Sequence, residues 1–185
     1  MSDLEIPAGA RAVPLHGIYA IGRVALLDEA DYELVSGHRW RAFQYVRPSG
    51  SINGPYALCE VIRGGKRSSL RMHNLVMGQV GIDHINHDGL DNRRSNLRPA
   101  TDVQSLANTR KRPGLTSRYK GVCQAPACRR RPWLAQIFID GKNRNLGSFS
   151  DEESAARARD AAAIAAWGEY AWLNFPPDGR ESSAA

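Results

Sequence analysis

The chain has 185 residues, 42% of them hydrophobic and 24% charged, which is the composition of a soluble globular protein with one ordinary domain or two small ones. No apolar run reaches the ~20 residues of a membrane span, and no basic segment followed by an apolar core opens the chain, so we expect neither a membrane protein nor a signal peptide. The net charge of +6 is uneven, since residues 1–62 carry five Lys or Arg against seven Asp or Glu and residues 63–185 carry twenty against twelve. This bias predicts a polyanionic partner, with a solvated basic surface as the alternative.

Three cysteines, Cys59, Cys123 and Cys128, indicate a reducing compartment. Cys123 and Cys128 lie five residues apart, and no second pair accompanies them, so we expect no zinc site. The protein is therefore predicted to be intracellular.

Residues 1–69 have the apolar runs and turn residues of a β-rich region. Strands are predicted at 23–27, 40–46 and 56–62, with a short helix at 28–36. Gly64 and Gly65 predict a turn before residues 68–72. We expect this region to scaffold the segment that follows, or to widen its contact with a partner.

The most informative segment is residues 83–98, with the sequence DHINHDGLDNRRSNLR. A carboxylate stands beside an imidazole, and a turn-forming Asp-Gly and an Asn- and Arg-rich stretch follow. The surrounding patterns predict a strand at 82–85, a turn at 87–89, a return strand at 97–100 and a helix from 102 to about 110. Thr101 and Gln104 have the spacing of a capping box for that helix. We assign residues 70–112 to one module.

These residue types suit the hydrolysis of a phosphodiester. One hard divalent cation with oxygen ligands neutralises the phosphate and stabilises the leaving oxygen. Asp83 is the candidate ligand, and His84, with an ordinary pKa near ~6.5, is a suitable general base at neutral pH. Adjacent strand residues point to opposite faces, so a distorted strand end is needed to bring both to one phosphate. A surface pair without function is the alternative.

A linker at 113–117 precedes a second module at 118–176. Three strands are predicted at 119–124, 133–139 and 143–149, and Asp140-Gly141 is a two-residue hairpin turn. A helix at about 151–167 is predicted to be capped by Ser150 with Glu153.

Charge also distinguishes this part of the chain. Residues 110–146 carry ten Lys or Arg against one acid, Asp140, which predicts a phosphate-binding face with salt-dependent affinity. The tail at 177–185 is expected to be disordered.

The module at 70–112 resembles the HNH, or ββα-metal, nucleases, in the branch found in phage and intron homing endonucleases. The resemblance rests on HNLV at 73–76, DH at 83–84, LDNRR at 90–94, NLR at 96–98, Thr101, Gln104 and Asn108. It implies that Asp83 ligates one divalent cation, Mg²⁺ or alternatively Mn²⁺, that His84 is the general base and that Asn96 braces the loop. It gives His73 a structural place.

One position departs from this family. The family has a second metal ligand, His or Asn, directly after the Gln that matches Gln104, and this chain has Ser105 there. Serine is a weaker neutral ligand, so Ser105 is expected to bind the ion through water. Asn108 lies one turn further along the same side of the helix and is the alternative ligand, and His87 is a third.

The module at 118–176 resembles the AP2/ERF DNA-binding domain. The matching pieces are YKGV at 119–122, WLAQI at 133–137, LGSF at 146–149, SAARA at 154–158 and LNFP at 173–176. The resemblance implies a three-stranded antiparallel sheet in the major groove of duplex DNA, with a helix packed behind it. Arginines common in the plant domains are replaced at Cys123, Ala125 and Phe138, and the third-strand Trp by Asn145, so no target sequence carries over.

Candidate DNA contacts are basic and amide side chains in both modules. Most are expected to touch phosphate, although Arg and Gln can pair bidentately with guanine and adenine. They are Arg93, Arg94, Arg98, Lys120, Gln124, Arg129, Arg130, Arg131, Gln136, Lys142 and Arg144.

The predicted fold class is α+β, with a ββα-metal module after a small β-rich region and before a three-stranded sheet packed on one helix. The resemblances imply a metal-dependent DNA endonuclease of homing type, acting on double-stranded DNA in the cytoplasm of a bacterial or phage-infected cell. One catalytic motif per chain favours a monomer. The alternative is a DNA-binding regulator whose nuclease module has decayed, as Ser105 would indicate. RNA is disfavoured because A-form RNA hides its major groove.

Overall fold

The computed structural model describes residues 6–46, 52–111, 114–125 and 130–177. Contacts divide the chain into two compact units, Met1–Thr101 and Asp102–Ala185. The boundaries predicted at 69, 112 and 117 stay predictions. Cys128, Arg129 and the predicted tail from 178 onward lie outside the described residues.

The first unit consists of small antiparallel sheets and short helices. In chain order its described elements are β1 (Ala10–Pro14), β2 (Val24–Asp28), α1 (Tyr32–Ser36), β3 (Arg41–Val46), β4 (Ile52–Arg63), β5 (Lys66–Arg71), α2 (Met72–Met77), β6 (Ile82–His84) and β7 (Leu97–Pro99). β1 pairs with β2, β3–β4–β5 form a three-stranded sheet, and β6 pairs with β7. The sequence patterns predicted most of these strands but not α2.

One core holds the first unit together. Strand β2 buries Ala25 and Leu27 completely while Leu26 between them is only half-buried, which is the period of two that a strand requires. Trp40 is fully buried and donates its indole N–H to the Val35 carbonyl oxygen at 2.9 Å. The core extends to the site through its other members, Val13, Ala57, Cys59, Met72, Val76, Leu90 and Leu97.

The second unit contains the predicted three-stranded sheet and helix. Its described elements are α3 (Asp102–Ala107), β8 (Val122–Gln124), β9 (Trp133–Ile139), β10 (Lys142–Phe149) and α4 (Glu152–Trp167). The strand order is β10–β9–β8, and Ala155 and Ala156 of α4 pack against Ala135 of the sheet in an AP2-like arrangement. The predicted Asp140-Gly141 turn is confirmed, since both residues have positive φ, 52° and 73°. The predicted α+β class is therefore confirmed.

Two details of the helices differ from prediction. Helix α3 ends at Ala107 rather than near 110, and it belongs to the second unit. Helix α4 is capped by Asp151 rather than Ser150, because the Asp151 carboxylate accepts from the Ser154 amide at 2.7 Å and from its hydroxyl at 2.8 Å. Because the cap forms one residue later than predicted, Glu153 does not form the predicted capping box with Ser150.

A buried polar network fastens the end of the chain to α4. The Asp160 carboxylate accepts from the Asn174 and Phe175 backbone amides at 2.7 and 2.9 Å, and buried Arg159 donates to Asp160 and to the Trp172 carbonyl. Every member of this network is bonded, which is the condition under which buried charge is tolerated.

None of the helices in the described ranges is long and apolar enough to cross a bilayer.

Gly89 makes a close approach that the first unit needs. A Cβ at this position would stand 2.5 Å from the Pro55 carbonyl oxygen and 2.5 Å from a ring carbon of Tyr56. We expect Gly89→Ala to lower the free energy of unfolding by about 1–3 kcal/mol, because backbone or ring must move. Urea denaturation measures this. The matched control is Gly37→Ala, whose added Cβ meets nothing within 4 Å; equal losses in both variants would contradict the packing described.

Candidate functional site

The β6–β7 ribbon places the two central side chains. Its register sets Asp83 opposite Arg98 and His84 opposite buried Leu97. Arg98 donates from Nε and Nη2 to Asp83 Oδ2 at 3.2 and 3.1 Å. Adjacent strand positions face opposite ways, so Asp83 carries this ion pair on one face while His84 enters the core on the other.

His84 is enclosed by aromatic rings. The imidazole is 6% exposed, with the His73 ring centroid 4.8 Å away in an edge-to-face contact and the Tyr56 ring centroid 5.8 Å away. Burial lowers the pKa of His84, while a hydrogen bond with Asn92 and the charges of nearby carboxylates partly oppose that shift. Burial, aided by His84 and Arg71, lowers the pKa of His73 to about 3. Both imidazoles are therefore neutral at physiological pH.

The Asn92 side chain orients the imidazole of His84. The Asn92 amide nitrogen donates to the Leu90 carbonyl oxygen at 3.0 Å, which fixes the direction of the amide. Its oxygen Oδ1 then faces His84 Nε2 at 3.5 Å. Because an amide oxygen only accepts hydrogen bonds, this contact favours the tautomer with the imidazole proton on Nε2.

A carboxylate–guanidinium pair fastens the loop between β6 and β7. Arg93 donates from Nε and Nη2 to the two oxygens of Asp91 at 2.8 and 2.7 Å, and Asn86 adds a bond at 3.0 Å. Burial acts to raise the pKa of Asp91, but the bonds and charge of Arg93 hold it below its ordinary value. Asn96 accepts from the Asn86 amide at 2.9 Å and donates to the Asp91 carbonyl oxygen at 2.8 Å. These are the side-chain to backbone bonds expected of Asn96, and its part in catalysis stays a prediction.

Three predicted DNA contacts of the first unit have intramolecular partners. Arg93 lies on Asp91 and Arg98 lies on Asp83, as described above. Arg94 donates to both oxygens of Asp31 at 2.8 and 2.7 Å and to a main-chain carbonyl of α2. Their guanidinium groups thus hold the ribbon and its loop in place, and their contact with DNA stays a prediction.

The donors of the first unit do not by themselves fit a divalent cation. In the described ranges no group of three or more His, Cys, Asp or Glu side chains is placed to hold a metal ion. Asp83 offers one carboxylate, which Arg98 already engages, whereas Mg²⁺ demands near-octahedral oxygen coordination. Half-buried Ser105 and buried Asn108, the other predicted ligands, belong to the second unit. His87 lies in the turn after β6 with a φ of 64°.

The sheet of the second unit has two different faces. Directly opposed residues of neighbouring strands lie on the same face, so Val122, opposite buried Ala135, belongs to the face that α4 covers. The pairs Cys123–Leu134, Gln136–Asn145 and Phe138–Asn143 alternate with that face. We call the side that carries them the outer face. Its described members are Cys123, Leu134, Gln136, Phe138, Asn143, Asn145 and Ser148.

The register separates the predicted DNA contacts of this unit. Gln136 lies on the outer face, whereas Lys142 and Arg144 are opposite Ile139 and Ile137 and therefore lie on the other side, at the exposed edge of β10. Gln124, opposite Trp133, shares that side. Arg130 and Arg131 are exposed just before β9. These contacts, with Arg129 outside the described residues, stay predictions.

Lys120 has a structural position. Its ammonium donates to the carbonyl oxygens of Ala107 at 3.0 Å and Thr109 at 2.5 Å, which closes the end of α3. Burial, with the charge of Arg159 acting the same way and Asp160 opposing, lowers the pKa of Lys120 to about 7. The ammonium is therefore engaged within the unit, and a contact of Lys120 with DNA stays a prediction that this geometry does not support.

Several side chains around the site were not singled out from the sequence. Tyr56 and Asn92 enclose His84, and Asp91 holds Arg93. A signal exists for Asp91 and Asn92, since both lie in the matched LDNRR stretch. Asn143 was missed as a member of the outer face, although the period of two along β10 could have placed it there.

Replacing the buried imidazole of His73 should change how the free energy of unfolding depends on pH. Since the unfolded chain protonates His73 near ~6.5 and the folded chain only near 3, the free energy of unfolding falls as the pH drops below ~6.5. We expect His73→Phe, which keeps a ring against His84, to reduce the loss of stability between pH 7 and pH 5 by up to about 2 kcal/mol. Urea denaturation at both pH values measures this, and an unchanged pH dependence would contradict the assignment.

Known proteins resemble the chain in two ways. No family profile and no solved structure matches it. An AP2/ERF and B3 domain-containing protein of Oryza sativa is 49% identical over 70 residues, which are 38% of this chain and 18% of that protein. An AP2-like ethylene-responsive transcription factor of Arabidopsis thaliana is 39% identical over 59 residues, 32% of this chain and 14% of that factor. The chain thus spans about a fifth or less of the length of these plant relatives.

A viral protein matches a longer part of the chain. An uncharacterized HNH endonuclease of Acanthamoeba polyphaga mimivirus is 26% identical over 153 residues, 83% of this chain and 75% of the viral protein. The chain therefore has AP2/ERF domain homologues over about 70 residues and a distant HNH endonuclease homologue over most of its length.

Proposed function

We propose that the protein is a DNA endonuclease of homing type that hydrolyses a phosphodiester bond near the duplex site it holds. The observation that carries this proposal is the neutral imidazole of His84, which Asn92 orients and which directly follows the Asp83–Arg98 pair in the chain. The distant HNH endonuclease homologue supports the same chemistry. The AP2/ERF homologues support the binding of duplex DNA by the second unit.

In this proposal His84 Nδ1 takes the proton of the attacking water. The burial that keeps the ring neutral makes its lone pair available at neutral pH. As the ring becomes positively charged, the carboxylates of Asp83, Asp88 and Asp91, which favour its charged form, stabilise it. In this proposal Asn92 Oδ1 accepts from Nε2 and orients the ring.

Arg98 has two roles in this proposal. Its guanidinium holds the Asp83 carboxylate, and its positive charge on that face of the ribbon would favour the approach of a phosphate. Asn96 holds the loop that carries Asn92, so it acts through position rather than by contact with DNA.

A divalent cation belongs to the proposal through the HNH homologue alone. Asp83, Ser105 and Asn108 remain its predicted ligands, with Mg²⁺ or Mn²⁺ as the ion. Of these three residues only Asp83 takes part in the proton transfer described above, through the effect of its negative charge on His84. One candidate site per chain favours a monomer that nicks one strand. A cytoplasmic location remains a prediction.

Replacing His84 should abolish cleavage and spare binding. We expect His84→Ala to slow nicking of supercoiled DNA in Mg²⁺ by about 100- to 10,000-fold, the usual contribution of a general base, and to leave the affinity for duplex DNA within about twofold. The matched control is His16→Ala, which removes an exposed imidazole of the same unit and should cut normally. Partial rescue of His84→Ala by free imidazole would separate lost chemistry from lost packing. Undiminished cleavage by His84→Ala would refute its role.

A DNA-binding regulator with a decayed nuclease module is the second candidate function. Ser105, where the family has His or Asn, favours it. If the nuclease proposal holds, wild-type protein cuts DNA in Mg²⁺ or Mn²⁺ and stops in EDTA, and Ser105→Asn lowers the metal concentration needed for half-maximal cleavage. Ser69→Asn, on exposed β5, is the control. A wild type that binds but never cuts, together with an active Ser105→Asn variant, would establish the decayed module instead.

A further inference from the structure

We propose that the outer face of the second unit recognises A·T base pairs in the major groove of duplex DNA. The inference rests on the proposed DNA binding and adds to it the chemical class of the target. It follows from which residues lie on the outer face and which lie at its edges.

The outer face is free of formal charge. Its described members are amides, a hydroxyl, a thiol and apolar side chains, and none of them is Lys, Arg, Asp or Glu. Phe138, on the middle strand next to the hairpin turn, leaves 65% of its surface exposed. Because α4 covers the opposite face, only the outer face is available to lie against a groove. An antiparallel ribbon of this kind fits the width of the major groove.

Positive charge lies at two borders of this neutral face. Lys142 and Arg144 are exposed along the edge strand β10, and Arg130 and Arg131 are exposed where the chain enters β9. Arg144 also contacts Asp140 at 3.2 Å, an exposed pair that a phosphate can replace at little cost. A neutral face bordered by cations matches a DNA groove, in which base edges lie between two phosphate backbones. This charge complementarity identifies DNA, rather than an apolar protein, as the occupant.

The side chains of the face select among base pairs. Guanine is recognised by two donors from one Arg or Lys, and cytosine by an acidic acceptor; the described outer face has neither. Adenine is recognised by an amide that donates to N7 and accepts from N6. Asn143 Nδ2 donates to Gln136 Oε1 at 3.1 Å, which orients the Gln136 amide with Nε2 available as a donor. Phe138, beside this pair, offers an apolar contact for the thymine methyl group.

Asn145 adds a second oriented amide. Its Oδ1 accepts from the Gly147 backbone amide at 2.8 Å, so Nδ2 is directed as a donor. Asn145 lies directly opposite Gln136, and Asn143 opposite Phe138. The three amides and the ring therefore form one contiguous patch, long enough to cover a few successive base pairs.

Selection of bound duplexes from a random library tests this inference. The full-length protein is used in EDTA, so that cleavage does not distort the outcome. We expect A·T-rich sites, in which changing one contacted A·T pair to G·C weakens binding by roughly 5- to 140-fold. If the wild-type protein selects G·C-rich sites, or shows no base preference, the inference is overturned. This outcome does not depend on the folding of any variant.

Variants locate the recognition on the outer face. The double variant Gln136→Ala/Asn143→Ala should bind A·T-rich and G·C-rich duplexes equally, and Gln136→Arg should select guanine at one position. The matched control Arg144→Ala should weaken binding to all duplexes and reduce the salt slope by about one, with the selected sequence unchanged. Retention of the A·T preference by the double variant overturns the inference.

The outcome is separable from the nuclease proposal. A·T-selective binding without cleavage in Mg²⁺ would refute the nuclease and leave the base preference established. Cleavage at G·C-rich sites would support the nuclease proposal and refute the A·T preference. The absence of any DNA binding would refute this inference together with the DNA-holding role of the second unit.

Discussion

The pair of Asp91 and Arg93 fastens the loop between β6 and β7, and the position of the candidate base depends on it. With Asp91 held, Asn96 bonds both sides of the loop and Asn92 is directed inward against His84. The same stretch is tied to β2, because Leu26 accepts from the Asn92 amide and donates to the Leu90 carbonyl. These bonds connect the short ribbon to β2 and direct Asn92 toward the imidazole of His84.

Burial of His84 is a compromise between two requirements. The contacts with His73 and Tyr56 keep the ring neutral and fixed, which a base at neutral pH needs. Full burial among apolar groups alone would oppose the positive charge that forms when the ring accepts a proton. Nearby carboxylates offset that opposition. The imidazole of His84 therefore contacts two aromatic rings and lies near several carboxylates.

In the proposed function the two units have different roles. In the first, most arginines near the candidate site are engaged with carboxylates of the chain, so they support geometry. In the second, cations at the edge of the sheet remain exposed, while the outer face offers neutral groups. Affinity and base preference would thus come from different residues, which explains why a basic composition alone does not predict the target.

The sequence predicted those features that depend on local chemistry. Asp140-Gly141 specified a hairpin by turn geometry, and the strand predicted at 133–139 matched β9 at both ends. Contacts distant along the chain were not predictable. The meeting of His73 with His84 depends on how α2 packs, and α2 itself had no clear signal in six residues. The outer face was hidden because β9, WLAQIFI, has apolar residues on both sides, so hydrophobicity alone did not distinguish its faces.

Nitrogen-15 NMR of the histidine rings tests the central claim most directly, since long-range couplings identify which ring nitrogen carries the proton. At pH 7 we expect His84 to be neutral with its proton on Nε2 and its lone pair on Nδ1, and Asn92→Ala to weaken that preference. A positively charged His84 ring at pH 7, or a neutral ring protonated on Nδ1, would contradict the account.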